Sequence, residues 1–224
     1  MTFSIVARCA ETGMVGVAVT SSSPAVAARC AFTRAGVGAV ASQNVTDPRL
    51  GTRALDLMAL GARAPEAVAI LRATGGHMEH RQVAAVDAAG RTAVHTGAAA
   101  LGTSAAAEGD GAACGGNLLA NRDVPSAMLD AFAAARGGLG ARLLAALRGG
   151  LEAGGEAGPV RSAGLRLARD VPWPVADLRV DWTEDCPIAA LSDLWARYEP
   201  QLEDYVARAL DPRSAPSYGV PGDP

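Results

Sequence analysis

The chain has 224 residues, 50% of them hydrophobic, and a formal net charge of −3. This composition excludes a disordered chain and allows one sizeable globular domain or two very small ones. No internal repeat or linker marks a boundary, so we predict a single domain over residues 1–211, followed by a proline- and glycine-containing flexible tail over 212–224. All 20 basic residues are arginine, because the sequence contains no lysine, and mechanisms that need a lysine, such as a Schiff base or a Walker phosphate loop, are therefore excluded.

The N-terminal part of the chain predicts four short strands before any helix. Apolar Phe3, Ile5 and Ala7 alternate with their neighbours, which is typical of a strand, and a glycine-containing turn connects them to a second apolar run. The four strands are expected over residues 3–8, 14–19, 25–32 and 37–43.

Beyond this region, helix pairs alternate with β-hairpins. Apolar residues at helical spacing predict helices, and Pro65, Pro125 and Pro187 stand at positions where a helix can begin. The expected helices cover residues 50–60, 65–71, 123–132, 139–151 and 187–202. The expected hairpins pair residues 81–87 with 92–96 and 162–168 with 175–181, and the glycine-rich stretch 98–113 is expected to be a loop.

This order of elements excludes a doubly wound parallel sheet, in which strands alternate with single helices. The strands are apolar on both faces, as expected for a sheet packed between a second sheet and a helix layer. We therefore predict an α+β fold with two antiparallel sheets between helix layers.

The spacing of the cysteines and the distribution of charge along the chain indicate which metals, cofactors and partners to expect. The four cysteines stand singly, which argues against a zinc site or a disulfide framework and predicts reduced, mostly buried thiols. No metal-ligand spacing and no glycine-rich nucleotide fingerprint occurs, so we expect neither a metal nor a cofactor. The absence of a basic block argues against nucleic acid, and the absence of a signal peptide or apolar span predicts a cytoplasmic protein.

Thr2 is the strongest candidate for chemistry. Aminopeptidases remove an initiator methionine that precedes a small residue, so we expect Thr2 to begin the mature chain at the head of the first strand. An N-terminal threonine carries a nucleophilic hydroxyl and a base on one residue, because α-amines titrate near neutral pH. A threonine at the second position is also common in proteins without such a role.

Several runs of residues together resemble one family. They include MTFSIVAR at 1–8, RAGVGAVA at 34–41, LDL at 55–57, RQ at 81–82, GN at 116–117 and DLRVD at 177–181. With these runs, residues 1–205 resemble the DUF1028 family of Ntn-hydrolase-like proteins. The resemblance implies a four-layer αββα sandwich with Thr2 as nucleophile. It also implies a small-molecule substrate, hydrolysed at a non-peptide C–N bond of an amide, cyclic amide or ureide.

The chain departs from this family pattern in two places. Residues 21–24, with sequence SSSP, stand where a bulkier segment that often contains a lysine is expected. Residues 98–100 are alanines where a cysteine and a tryptophan are expected. Any cationic neighbour of Thr2 must therefore be an arginine.

Polar residues at predicted strand ends are the candidates for supporting roles. Ser21 and Ser22 could hold the Thr2 amine or cap their loop, and Gln43 and Asn44 could bind a substrate carbonyl or end their strand. Asn117, which follows two glycines, is a catalytic candidate for the oxyanion hole, with a turn residue as the alternative.

Two further candidates for substrate binding are Arg34 and His95. Arg34 could neutralise an anionic substrate or lie on a solvated strand end, and His95 could contact the substrate or serve as a structural histidine.

Three functions and two assembly states remain open. Besides the amidohydrolase, the same fold would suit a noncatalytic small-molecule-binding or assembly protein, or an enzyme that opens heterocycles without a covalent intermediate. Trp182, Trp195 and Tyr198 predict a homodimer or higher homo-oligomer if they are exposed, and local core packing if they are not.

Overall fold

The computed structural model describes residues 1–220. Six strands form one antiparallel sheet: β1 (Thr2–Arg8), β2 (Val15–Ser21), β7 (Ala105–Gly109), β8 (Ala112–Asn117), β9 (Ser162–Ala168) and β10 (Ala176–Val180). Their order across the sheet is β10-β9-β2-β1-β8-β7, so β1 lies at its centre. The second antiparallel sheet contains β3 (Ala31–Arg34), β4 (Gly38–Asn44), β5 (Arg81–Asp87) and β6 (Thr92–Thr96) in sequence order.

Helices cover the outer face of each sheet. The helices are α1 (Ala27–Cys30), α2 (Pro48–Ala59), α3 (Ala64–Thr74), α4 (Val124–Ala134), α5 (Leu139–Glu152), α6 (Pro187–Tyr198) and α7 (Leu202–Leu210). Helices α2 and α3 pack on the four-stranded sheet, whereas α4, α5 and α6 pack on the six-stranded sheet. The predicted α+β sandwich, with two antiparallel sheets between helix layers, is thus confirmed.

The alternation of side chains in β1 decides what each face of the central strand contacts. Phe3 and Ile5 belong to the core cluster under α4 and α5, and Val6 belongs to the cluster between the sheets. Successive side chains of a strand point to opposite faces, so Thr2 and Ser4 share the face of Val6. Thr2 therefore lies at one end of the space between the two sheets.

The strand predicted over residues 25–32 is wrong over residues 25–30. Ala25 adopts a left-handed backbone with φ of 51°, α1 follows, and the strand begins only at Ala31. Alanine and arginine favour helix, and Gly164 of β9 leaves room for Ala27, because a Cβ at Gly164 would lie 2.3 Å from the Ala27 Cβ. A short apolar run does not distinguish a strand from such a helical turn.

The loop predicted over residues 98–113 is also wrong in part. Strand β7 and the start of β8 lie in this stretch, and they pair from Ala105–Gly116 to Gly109–Ala112. Alanine and glycine have low strand propensity, so the pairing with β1 and the packing of α4 hold these strands in place rather than local preference.

The C-terminal helix is shorter than predicted, and the tail is partly held. Pro200 cannot donate a backbone hydrogen bond, and α6 ends at Tyr198, before the 3₁₀ turn Glu199–Gln201 and α7. Within residues 212–220 the structure shows no helix or strand, yet Arg208 donates to the carbonyls of Pro216 and Ser217. Residues 221–224 of the predicted flexible tail lie outside the described residues.

The cysteines and the large aromatic side chains divide between core and surface. Cys30 and Cys114 are buried, but Cys9 is partly exposed and Cys186 is exposed, so half of the thiols are buried rather than most. Trp195 packs in the core, whereas Trp182 is 51% exposed. None of the helices within residues 1–220 is long and apolar enough to cross a membrane.

Candidate active site at the head of strand β1

Buried polar residues gather between the sheets at the Thr2 end of β1. They come from five further strands and one loop besides β1, which supplies two of them, and each is no more than 6% exposed. They are Thr2, Ser4, Ser21, Gln43, Gln82, Asn117, Glu156 and Ser162. Burying so many polar groups in one place is unfavourable unless they bond to one another, so their mutual contacts decide what the cluster can do.

The Thr2 hydroxyl lies against a second hydroxyl and a main-chain carbonyl. Its Oγ1 is 3.3 Å from Ser21 Oγ, because β1 and β2 pair with Phe3 opposite Thr20 and so bring Ser21 next to Thr2. Both hydroxyls donate to the carbonyl oxygen of Met1. Asn117 is the direct cross-strand partner of Thr2, so the two side chains leave the sheet on the same face. The predicted proximity of Thr2, Ser21 and Asn117 is therefore present.

Two glutamines connect the sheets below Thr2. Ser4 Oγ donates to Gln43 Oε1 at 2.7 Å, and Gln43 Nε2 donates to Gln82 Oε1 at 2.8 Å and to the Gly115 carbonyl at 3.1 Å. Gln43 is 1% exposed, so its amide joins the two sheets instead of facing an open pocket. The amide of Asn117 makes only a long contact, 3.5 Å from Nδ2 to Gln82 Oε1, and is the more available donor of the two.

Glu156 is a buried carboxylate of this cluster that the sequence patterns did not single out. Its Oε2 accepts a hydrogen bond from the Ser22 backbone N–H at 3.1 Å, and its Oε1 is buried without a partner. Burial raises the pKa of Glu156 to about 7, although the chain's N-terminal ammonium and the bond from Ser22 act in the opposite direction. The available signal was its position as the one charged residue within the glycine-rich loop 154–159.

Ser22 is a predicted site residue, and in the structure its main chain contacts Glu156. Its backbone N–H holds Glu156, and it follows Ser21 at the end of β2. Residues 118–120 hold the same loop from the other side, because Ala157 N donates to the Leu118 carbonyl and Ala120 N donates to the Gly155 carbonyl. The strand ends on both sides of β1 thus position the Glu156 loop.

Three predicted site residues are not brought to Thr2. Arg34 pairs with Asp56 at 2.7 Å on the surface, at the opposite end of β4 from Gln43. His95 lies opposite Val83, which faces the helix layer, and its Nε2 lies 2.9 Å from the Met78 carbonyl. Asn44 joins two loops, since its amide donates to the His80 carbonyl and accepts from Leu101 N.

The larger cavities lie away from this cluster. Two of them, of about 450 and 670 Å³, share Ala133 and Arg142, and the larger also includes Cys9, just beyond the opposite end of β1. At the Thr2 end the main chain of Met1 covers the hydroxyl, and the Met1 side chain reaches Gly158, where a Cβ would lie 3.4 Å from the Met1 Cε. Within residues 1–220, no group of three or more His, Cys, Asp or Glu side chains could hold a metal ion.

Comparisons with known proteins agree with this architecture. The crystal structure of a DUF1028 protein from Silicibacter pomeroyi is 29% identical over 88% of each chain, with a TM-score of 0.82. Anbu (ancestral beta-subunit) from Yersinia bercovieri is 10% identical over 97% of this chain and 100% of its own, with a TM-score of 0.38, and this likeness carries no conclusion. No protein with a curated description matches the sequence. Residues 2–191 match the model of the family of unknown function DUF1028, and the chain therefore belongs to that family.

Proposed function

We propose that this protein is an amidohydrolase whose nucleophile is the hydroxyl of Thr2, made N-terminal by removal of Met1. The observation that carries the proposal is the position of Thr2, which heads the central strand with its buried hydroxyl among other polar groups between the sheets. Burying many polar groups together lowers the stability of a fold, and such clusters are typical of functional sites. The substrate class is the non-peptide C–N bond of a small amide, cyclic amide or ureide.

The proposed reaction has two balanced halves. In the first, Thr2 Oγ bonds to the substrate carbonyl carbon while its proton passes to the Thr2 amine. The C–N bond then breaks, the leaving nitrogen takes that proton, and an ester remains on Thr2. In the second half, water adds to the ester carbon and gives a proton to the same amine. The Thr2 oxygen leaves with this proton, and the acid product is released.

Asn117 is the proposed donor to the oxyanion of this reaction. Its side chain leaves β8 beside that of Thr2, and its long contact with Gln82 leaves the amide weakly held. A donor already in place where negative charge develops stabilises the transition state without reorganisation. Loss of such a donor costs about 100-fold or more in rate, so Asn117→Ala tests this part of the proposal separately.

Removal of Met1 would also open the substrate site. The Met1 carbonyl accepts from the hydroxyls of Thr2 and Ser21, and its side chain lies beside Gly158. After Met1 has left, both hydroxyls lose this acceptor, and the space that Met1 occupied becomes open to a substrate. The volume of one methionine suits a small molecule, which supports the substrate class proposed.

Intact-protein mass spectrometry and covalent trapping test the proposal together. We expect the expressed protein to lack Met1 and to gain one acyl group on Thr2 when treated with p-nitrophenyl acetate. Thr2→Ala, which keeps a small residue for Met1 removal, should not be acylated and should not hydrolyse any amide, cyclic amide or ureide of a substrate panel. Thr33→Ala is the matched control, because Thr33 is a partly buried threonine of β3 away from the site.

Two results would contradict the mechanism. Retention of Met1 would leave Thr2 without a free amine, and turnover by Thr2→Ala at the wild-type rate would remove Thr2 from the reaction. Turnover of a ring substrate with Thr2 never acylated would favour the noncovalent ring-opening enzyme instead.

A further inference from the structure

We propose that Arg29 is a positioning residue for Thr2 and that it acts through the hydroxyls of Ser23 and Ser21. This inference rests on the proposed function, because it concerns how the Thr2 hydroxyl is oriented for attack. It also answers which arginine supplies positive charge near Thr2 in a chain that contains no lysine.

A continuous series of hydrogen-bonding atoms joins the guanidinium to the threonine. Arg29 Nη2 donates to Ser23 Oγ at 2.6 Å, and Ser23 Oγ lies 2.8 Å from Ser21 Oγ. Ser21 Oγ lies 3.3 Å from Thr2 Oγ1. The series therefore crosses from α1 to the head of β1 with two serine hydroxyls between them.

Donor counting gives the series one direction. A guanidinium can only donate, so Ser23 Oγ accepts from Arg29. The proton of Ser21 is directed to the Met1 carbonyl, so Ser23 must donate to Ser21. Ser21 Oγ also accepts from the Ser23 backbone N–H at 3.1 Å, and the Thr2 hydroxyl faces it as a donor at 3.3 Å. The protons of Arg29, Ser23 and Ser21 consequently point from Arg29 towards the Met1 carbonyl, whereas the Thr2 proton points away from Thr2 towards the same carbonyl and Ser21.

Loss of Met1 would let this series of hydrogen bonds end on the Thr2 hydroxyl. Loss of Met1 removes the acceptor of the Ser21 proton, and rotation of the Ser21 hydroxyl then lets it donate to Thr2 Oγ1, which reverses the Thr2-to-Ser21 direction that holds while Met1 is present. A Thr2 oxygen that accepts from Ser21 keeps its own proton free for the Thr2 amine, which is the transfer that the proposed reaction needs. The positive charge of Arg29 polarises the two serines, because hydrogen bonds in a series strengthen one another.

Arg29 is held in place without being neutralised. Its Nη1 donates to the carbonyls of Pro24 and Ala25, at 2.5 and 3.0 Å, and Ala25 has a left-handed backbone. Ser162 Oγ donates to the Ser23 carbonyl at 2.6 Å and fixes the same segment. Among residues 1–220, no carboxylate forms an ion pair with Arg29, so its charge remains available to the hydroxyl series.

The rate of Thr2 acylation by p-nitrophenyl acetate measures this role directly. Using the full chain without Met1, we expect Arg29→Met to slow acylation by roughly 10-fold, which is less than the loss of a direct oxyanion donor. Arg29→Lys keeps a charged donor and should recover most of the rate. The matched control is Arg53→Met, since Arg53 Nη2 also donates to a hydroxyl, that of Thr74 at 2.7 Å, but on the surface of the other helix layer.

A double-mutant cycle separates action through the serines from general loosening of the segment. Ser23→Ala should slow acylation by about as much as Arg29→Met, and the double variant should be no slower than the slower single variant. Additive losses would overturn the inference, since they would mean that Arg29 does not act through Ser23. If Arg29→Met lowers the melting temperature strongly, Ser23→Ala alone tests the series, because it removes the hydroxyl between Arg29 and Ser21 and keeps the bonds of Arg29 to the Pro24 and Ala25 carbonyls; a wild-type acylation rate in that variant would overturn the inference.

The outcomes distinguish this inference from the proposed function. Wild-type protein that is never acylated on Thr2 would overturn both. Wild-type acylation together with wild-type rates in Arg29→Met and Ser23→Ala would overturn only the role of Arg29. Slow acylation in Arg29→Met, recovery in Arg29→Lys and no change in Arg53→Met would support it.

Discussion

The two ends of the space between the sheets differ sharply in chemistry. At the Arg8 end, most of the facing side chains are apolar and small, such as Val15, Val17 and Ala39, and Arg8 and Arg166 are exceptions at its edge. At the Thr2 end, the same two sheets enclose hydroxyls, amides and a carboxylate. Both ends are equally buried, so exposure to solvent does not explain the difference. One end stabilises the fold by excluding water, and the other keeps polar groups in fixed positions where a reaction would need them.

The buried polar groups at the Thr2 end nevertheless have hydrogen-bond partners, with one exception. Gln82 Nε2 lies within hydrogen-bond distance of Thr96 Oγ1 and of the carbonyls of Ala105 and Gly116, and Gln43 bonds to Ser4 and Gln82. The exception is Glu156 Oε1, which has no partner. A network in which every polar group has a partner stabilises one arrangement. We therefore expect that breaking the glutamine network lowers the free energy of unfolding and that removing the charge of Glu156 does not.

Removing Gln82 should give the largest loss of stability. Gln82→Ala removes the acceptor of one Gln43 bond and the donor to the Thr96 hydroxyl and to two strand carbonyls, and it leaves a buried cavity. We expect a loss of about 3 kcal/mol in the free energy of unfolding. Urea unfolding followed by circular dichroism measures this change, with the exposed Gln201→Ala as control. A loss below about 0.5 kcal/mol would mean that water replaces the network and that the polar end is not tightly packed.

The charge on Glu156 should make stability depend on pH in one direction. The pKa is raised from 4.5 to about 7, so the folded protein retains a proton that the unfolded chain releases above pH 4.5. Stability should therefore fall as the pH rises from about 4.5 to about 7, by roughly 3 kcal/mol. Glu156→Gln should abolish this decline and be more stable than the wild type at pH 8. Equal pH profiles for the two proteins would contradict the burial of an unpaired carboxylate.

A pair of shape-conserving substitutions probes both ends at once. Val6→Thr places a hydroxyl between apolar cross-strand neighbours, Val17 and Ala113, and should cost about 2 kcal/mol. Ser4→Ala at the polar end removes one donor to Gln43 and should cost about 1 kcal/mol. Thermal unfolding of the two variants beside the wild type gives both values. If Ser4→Ala were the more damaging, the polar end would contribute more to stability than the apolar end.

Sequence patterns anticipated the parts of the molecule in which neighbours along the chain are also neighbours in space. The alternation of Phe3, Ile5 and Ala7 predicted the helix-facing side of β1, and helical spacing predicted the two helix pairs. The resemblance to the DUF1028 family, which combines such local runs, was confirmed over residues 2–191. The proline positions predicted where α3, α4 and α6 begin to within a residue or two.

Tertiary structure alone decided the weakly patterned segments and the composition of the site. Strand β7 consists mainly of alanine and exists because β8 and α4 hold it, and the α1 turn depends on contacts with β9. Gln82, Glu156 and Arg29 reach the surroundings of Thr2 from three distant segments, and no spacing along the chain encodes that meeting. Local periodicity specifies which face of an element is buried, whereas strand order and register specify which polar side chains share that buried space.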